Sequence, residues 1–381
     1  MTTEQKDKVF LYQINVTRDC NLRCTHCYID SEVKNSSKTM TAEQVLHIAK
    51  GIVEHMKSIN YVKAEIHFIG GEPTMLGLEF FQKNIPEFRK IVENEGFNCD
   101  IMLVTNLLHD DILEMSKLFD KVVTSYEVDT RFVSLKGTYK PKLEQKWMEK
   151  VKLLQNNGIK LGVTTAVTQQ VIKYGASRLL DYYYENGLKN IHFGFFIPQG
   201  DGLRNMSSVM PAFHETSQFL IETANWYLEK RDIDENLWVN PFESMLSALY
   251  NDEPLDDVVC PIIAGSIDIN WDGNAVTCIE EGGAVKPDWA GNVFETSILS
   301  VSMTEKFLKR VMEAARPQKM CQTCDEYKVC KSGCGVLFKY YDKNLDNDCP
   351  GFKNFITFIR NKIEEGIKPR YNNYASVIVK Q

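Results

Sequence analysis

The sequence predicts an α/β chain with two parts. The first holds strands and helices in alternation, as in a parallel sheet curved into a partial barrel or laid open, and the second is a smaller cysteine-rich unit containing a β-hairpin. Three observations carry this expectation. Apolar, β-branched runs alternate with stretches of helical period through the first 200 or so positions, the pattern of strands joined by crossover helices. That alternation stops near Gly200, and from Cys260 onward the composition changes. A chain of 381 residues also exceeds the length at which single cores usually stop growing. Periodicity alone does not choose between the curved and the open sheet.

In chain order, Val9 to Val16 is apolar and β-branched and runs straight into a cysteine loop, so it reads as a first strand with that loop at its C-terminal end. Ligand sites belong at that end of a parallel sheet. Thr41-Ala42-Glu43-Gln44 is a capping box, and Val45, Leu46, Ile48, Ala49, Ile52, Val53 and Met56 follow at helical spacing. Ala64 to Ile69 is a second strand closing on Gly70-Gly71-Glu72-Pro73, with a helix from near Leu78. Further strands are expected at Ile101 to Thr105, Lys121 to Tyr126, Lys160 to Val167 and Asn190 to Ile197. Trp147, Val151 and Leu154 mark a helix that ends at Gly158, a residue suited to a helix C-terminus. Pro211 to Lys230 and Pro241 to Leu249 read as bridging helices. Ser266 to Cys278 alternates around the turn signal Trp271-Asp272-Gly273-Asn274 and reads as the hairpin. A closing helix is expected near Phe352 to Glu364, and a late strand at Ala375 to Val379.

Composition excludes several classes of function. Net charge is −7, and no run of Lys or Arg suggests a nucleic-acid surface. The polar stretch Met1 to Lys8 lacks the apolar core of a signal peptide, and no run approaches 18 apolar residues. A cytoplasmic protein without a membrane partner is expected.

Eleven cysteines in such a compartment point to metal binding or catalysis rather than disulfides. Ten fall into spaced groups, and Cys99 is left as a small buried or partly buried residue. Cys20-x3-Cys24-x2-Cys27 puts three thiolates on one loop, enough for three corners of an iron–sulfur cubane while one iron keeps an open position. A structural zinc with His26 as fourth ligand is the alternative. Cys260, Cys278, Cys321, Cys324, Cys330, Cys334 and Cys349 exceed what one tetrahedral site can use, so they suit two clusters, or one zinc with a partial site.

Taken together, these motifs resemble the radical SAM enzymes that carry a C-terminal SPASM domain, across most of the chain. Cys20-x3-Cys24-x2-Cys27 matches the family's cluster loop, and Gly70-Gly71-Glu72-Pro73 matches its loop for the amino end of SAM. Cys260, Gly273-x4-Cys278, Cys321-x2-Cys324-x5-Cys330-x3-Cys334 and Cys349 match the seven-cysteine SPASM signature. The resemblance implies a partial (β/α)6 barrel over residues 1–200, a helical bridge over 201–258 and an auxiliary-cluster domain with the closing helix over 259–381.

It further implies SAM and three [4Fe-4S] clusters as cofactors. Cys20, Cys24 and Cys27 would hold the SAM-binding cluster. Cys321, Cys324, Cys330 and Cys349 would hold a distal auxiliary cluster, and Cys260, Cys278 and Cys334 a proximal one. The proximal cluster has only three cysteines: where some relatives have a further one, this chain has Ala264, Gly265 and Ser266. Thr105, Asn106 and Ser125 are candidate SAM contacts, with Glu127 and Arg131 behind them, and His26 takes the place of an aromatic residue beside the adenine. Relatives that oxidise sulfatase residues have an aspartate directly after the Gly-x4-Cys cysteine; here that residue is Ile279, followed by Glu280 and Glu281 as candidate bases.

The implied activity is reductive cleavage of SAM to a 5′-deoxyadenosyl radical, followed by oxidative modification, such as cross-linking, of a ribosomally made peptide or a protein. The first strand begins almost at once, so either a separate protein recognises the leader or the peptide is held otherwise. A flavodoxin- or ferredoxin-type reductant is expected as well. The rival readings are a dehydrogenase of a sugar or alcohol, and an iron–sulfur or zinc electron carrier or scaffold.

Overall fold

The computed structural model describes residues 9–34, 37–61, 63–255, 260–342 and 346–370. The late strand expected at Ala375 to Val379 lies outside them.

All six expected strands form: β1 Val9–Thr17, β2 Lys63–Gly70, β3 Asn98–Val104, β4 Lys121–Ser125, β5 Leu161–Val167 and β6 Asn190–Phe195. Each is parallel to the next. Crossover helices include Ala42–Ile59, Leu78–Glu93 and Pro141–Asn156. The capping box at Thr41 is made in both directions, Thr41 N–H to Gln44 Oε1 at 2.8 Å and Gln44 N–H to Thr41 Oγ1 at 3.3 Å. Trp147 is fully buried and donates its indole N–H to Thr124 Oγ1 at 2.9 Å, fixing its helix to β4.

One strand was not visible in the periodicity. β7 (Trp238–Asn240) pairs in parallel with β6, inside the segment that reads as helical. Three residues are too few to show a period of two, which is why the pattern hides it.

The expected hairpin is β8 (Ser266–Ile269) and β9 (Asn274–Val276), antiparallel, with β10 (Gly291–Asn292) added to β9. Gly273 is at φ +85°, and an added Cβ would meet the Phe294 ring at 2.3 Å, so the turn requires glycine. β8 also pairs in parallel with β1. The hairpin therefore extends the main sheet, whose order among the described residues is β10-β9-β8-β1-β2-β3-β4-β5-β6-β7.

Tyr12, Ile14 and Val16 of β1 are fully buried at the centre of this sheet, and Cys99 is buried with the core as expected. The closing helix Lys353–Glu364 packs Phe355, Ile356 and Ile359 inward. Among the described residues no helix is long and apolar enough to cross a membrane.

Candidate active site and cysteine centres

The loop after β1 carries Cys20, Cys24 and Cys27, and the loop after β2 lies directly on it. Gly71 N–H donates to Thr17 O at 2.9 Å, and Glu72 N–H to Asp19 O at 2.7 Å. A Cβ on Gly71 would stand 2.2 Å from Asp19 O and 2.3 Å from Arg18 O. Only glycine lets the two backbones come this close. From the other side the loop after β4 frames the cysteines: Arg23 N–H donates to Val133 O at 2.8 Å, and Thr25 N–H to Thr130 O at 2.9 Å.

These loops enclose a hollow of about 290 Å³. Its lining includes Cys20, Cys24 and Cys27, Gly70, Gly71 and Glu72, Thr105 and Asn106 after β3, Ser125 at the end of β4, and His26. Pro73 is the expected contact that does not line it; it opens the short turn Pro73–Leu76 instead.

Glu72 organises the rim. Its Oε1 accepts from Thr74 N–H, Thr74 Oγ1 and Thr105 Oγ1 at 3.1, 2.6 and 2.7 Å, and its Oε2 from Asn106 N–H at 2.7 Å. The carboxylate is thus occupied in tying the end of β2 to the end of β3. Asn106 passes the link on, donating from Nδ2 to Asn21 Oδ1 on the cysteine loop at 2.7 Å.

His26 is held edge-on. Nδ1 lies 2.9 Å from Thr130 Oγ1 and Nε2 3.1 Å from Glu127 Oε2. Glu127 also accepts from Arg131 Nη1 and from Ala166 N–H, both at 3.0 Å. Burial works against the Glu127 charge, but His26 and Arg131 outweigh it and hold its carboxyl down at about 2. Arg131 lines the hollow, and its buried Nε has no hydrogen-bond partner among the described residues. Burial raises the thiols of Cys20 and Cys24 to about 12, with Glu72 adding at Cys20 and Arg131 opposing at Cys24.

Two residues that the sequence gave no reason to single out stabilise this loop. Lys34 is buried in the hollow's wall, 2.7 Å from Asp201 Oδ2. Burial disfavours its charge, yet Cys27 and Asp201 raise its pKa. Asp201 also accepts from Ser31 N–H at 2.8 Å. A lone Lys and a lone Asp 167 positions apart form no motif, so only the folded chain pairs them.

The second cysteine group divides into two sets. Cys260, Cys278 and Cys334 line one cavity of about 180 Å³. Cys321, Cys324, Cys330 and Cys349 line another, smaller one. At the latter, a Cβ on Gly351 would stand 2.5 Å from Cys330 Sγ, so glycine after Cys349-Pro350 keeps the space between thiols clear. Phe352, next in the chain, stacks on Phe195 at 3.9 Å, fixing this unit to the end of β6. Among the described residues no three His, Cys, Asp or Glu side chains converge closely enough to hold a single ion; the cysteines surround volumes instead. Three thiols lining this hollow, and sets of three and four around two further spaces, fit thiolate-bound clusters.

The hollow and the cavity of Cys260, Cys278 and Cys334 are neighbours, with Gly194, Phe195, Ile197 and Glu280 lining both. The two adjacent glutamates part company here. Glu280 faces the shared space, and burial, with Asp268 adding its charge, pushes its carboxyl up to about 8. Glu281 turns to Arg310, accepting at 2.8 and 3.1 Å, and lines a separate outer groove. Asp268 itself is pushed up to about 7 by burial, against the opposing effect of Arg18 at 3.7 Å and a hydrogen bond from Asn15.

Comparison with known proteins shows what the chain is similar to. The sequence profile described as "Radical SAM superfamily" matches residues 14–172. The cysteine-type anaerobic sulfatase-maturating enzyme of Clostridium novyi (strain NT) is 23% identical over 358 residues, covering 88% of this chain and 91% of that protein. The Fe-coproporphyrin III synthase of Methanosarcina barkeri is 26% identical over 206 residues, 52% of this chain and 46% of that one. Among solved structures, native anSMEcpe with bound AdoMet and Cp18Cys peptide superposes with a TM-score of 0.73 at 18% identity, covering 97% of this chain and 99% of that one. Streptococcus suis SuiB bound to precursor peptide SuiA gives 0.60 at 15%, covering 88% and 74%. Both show a shared fold.

Proposed function

We infer that this chain, whose residues 14–172 are a radical SAM domain, is a peptide- or protein-modifying oxidoreductase that uses SAM at the cysteine loop and two auxiliary clusters beyond it. The observation that carries the reading is the shared wall. The residues of the SAM hollow and those around Cys260, Cys278 and Cys334 meet at Gly194, Phe195, Ile197 and Glu280, so a substrate placed there is within reach of both.

When bound, the cluster and SAM supply a 5′-deoxyadenosyl radical that takes a hydrogen atom from the substrate, and the auxiliary clusters supply an acceptor for the electron left behind. The chain's own residues bind, orient and exclude water. Cys20, Cys24 and Cys27 would hold the first cluster. The backbone at Gly70 and Gly71 would receive the SAM ammonium, because no side chain stands in its way. Arg131, with its buried Nε unpartnered in the hollow, would take the SAM carboxylate. His26, clamped at both ring nitrogens, would present a ring face to the adenine. Glu280 would accept the proton that an oxidised substrate releases.

A peptide substrate is supported by the outer groove, of about 1370 Å³, larger than the roughly 300–1,000 Å³ of ordinary small-molecule pockets. Seven Lys or Arg side chains line it against four Asp or Glu, in a chain of net charge −7. A separate leader-binding protein, a flavodoxin- or ferredoxin-type reductant and a reducing cytoplasm complete the proposal.

The test is anaerobic reconstitution. Replacing Cys20, Cys24 and Cys27 by alanine is expected to abolish 5′-deoxyadenosine formation while auxiliary-cluster absorbance remains. Wild-type protein that yields no 5′-deoxyadenosine with dithionite would refute the enzyme reading. Mass spectrometry of a candidate peptide after incubation with SAM then identifies the bond formed.

A further inference from the structure

The cavity around Cys260, Cys278 and Cys334 offers three thiols, one fewer than a fully protein-ligated cubane needs. Its wall also contains His192. This residue stands on β6 between Ile191 and Phe193, both buried in the hydrophobic core, so strand alternation turns its imidazole to the opposite face, toward the cavity. Its side chain is exposed, and it lines the cavity.

Neither ring nitrogen of His192 makes a hydrogen bond among the described residues. No described protein group occupies either nitrogen, so the ring is free to donate an electron pair to a group held in the cavity. Of the other polar side chains of the cavity, Thr277 has a buried hydroxyl without a partner among the described residues, a poorer donor to iron than an imidazole nitrogen, and others are engaged elsewhere. Ser266 donates to Thr277 O at 2.9 Å, Arg310 is tied to Glu281, and Glu280 also lines the SAM hollow. Gln13 offers a carboxamide, a much weaker donor to iron than an imidazole nitrogen.

We propose that His192 is the fourth protein ligand of the proximal auxiliary cluster, giving a Cys260, Cys278, Cys334 and His192 donor set. Histidine in place of cysteine on iron has a precedent in Rieske centres, where it raises the reduction potential. A neutral fourth donor also adds no further buried negative charge beside three thiolates and Glu280. The consequence is a proximal cluster that is closed to substrate and is a better electron acceptor than an all-cysteine one. It would serve as an outer-sphere acceptor in the oxidation.

The proposal rests on the reading of Cys260, Cys278 and Cys334 as cluster ligands, and its test separates the two. The parent is the full chain with Cys20, Cys24 and Cys27 replaced by alanine, which removes any nitrogen signal from SAM at the first cluster. After anaerobic reconstitution it should hold about eight irons, two cubanes' worth. Pulsed EPR of the reduced protein should then show a strongly coupled nitrogen.

Adding His192→Ala should remove that coupling. His192→Cys should remove it too, keep the iron and shift the proximal cluster to a lower potential, a shift that a residue acting only in packing would not give. Eight irons without nitrogen coupling in the parent would overturn the ligand assignment alone. About four irons would overturn the proximal cluster itself.

Discussion

Gly71 is the residue on which the site's geometry turns. Its missing side chain leaves room for two backbone carbonyls within 2.3 Å of where a Cβ would sit, so Gly71→Ala must push the glycine loop off the cysteine loop. A displacement of about 1 Å in a reacting site costs roughly 100-fold in rate, and a fall of that order in 5′-deoxyadenosine formation is expected. Glu72 is different in kind, because its carboxylate serves four donors and needs no ligand. In Glu72→Gln one acceptor becomes an NH2 group facing a donor, so a loss of about 1–3 kcal/mol in stability is expected. Chemical denaturation would measure it, alongside a raised KM for SAM.

His55 gives the pH dependence at this scale. It is buried in the core, its Nδ1 2.7 Å from Tyr12 OH, and burial lowers its pKa from 6.5 to about 4. The unfolded chain therefore binds more protons than the folded one between these values. The His55 contribution to stability is constant above about pH 6.5 and turns unfavourable as pH drops from there to about 4, by up to about 3 kcal/mol. Denaturation midpoints across that range, compared between wild type and His55→Gln, should show a shallower acid decline in the variant.

At the scale of elements, the exit of the cysteine loop is clamped from two directions. Gly202 N–H donates to Cys27 O at 2.8 Å, and Asp30 N–H to Gly283 O at 2.9 Å. The buried Lys34–Asp201 pair closes the same clamp. Removing one partner of such a pair leaves an uncompensated buried charge, worth about 3–5 kcal/mol. Lys34→Met should therefore destabilise the chain by about that much and impair iron loading at Cys20, Cys24 and Cys27. The double replacement Lys34→Met with Asp201→Leu should recover part of the stability.

At the scale of the molecule, the pairing of β8 with β1 makes the two cysteine-bearing parts one sheet. Ile269 on β8 is fully buried opposite Ile14. A single unfolding transition seen alike by tryptophan fluorescence and by cluster absorbance is expected, and Ile269→Asp should lower both together. Two separate transitions would contradict it. The shared wall also separates the two glutamates in function: Glu280→Gln should suppress product formation while leaving SAM cleavage intact, whereas Glu281→Gln should leave both near wild type.

The sequence by itself determined the order of strands and helices, the hairpin, the capping box and the grouping of the cysteines. Each of these is written in local spacing: a period of two or 3.6, a glycine at a turn, thiols within a few residues of each other. It missed β7, which is too short to carry a period, and it could not choose between Glu280 and Glu281, which are neighbours in any pattern. Tertiary structure decided what depends on contacts between distant positions. It sent Glu280 to the hollow beside the cysteine loop and Glu281 to Arg310, paired Lys34 with Asp201, and set His192 in the wall of the three-cysteine cavity. The physical reason is that burial, charge pairing and the sharing of a cavity arise only when the chain is closed, and no local spacing encodes them.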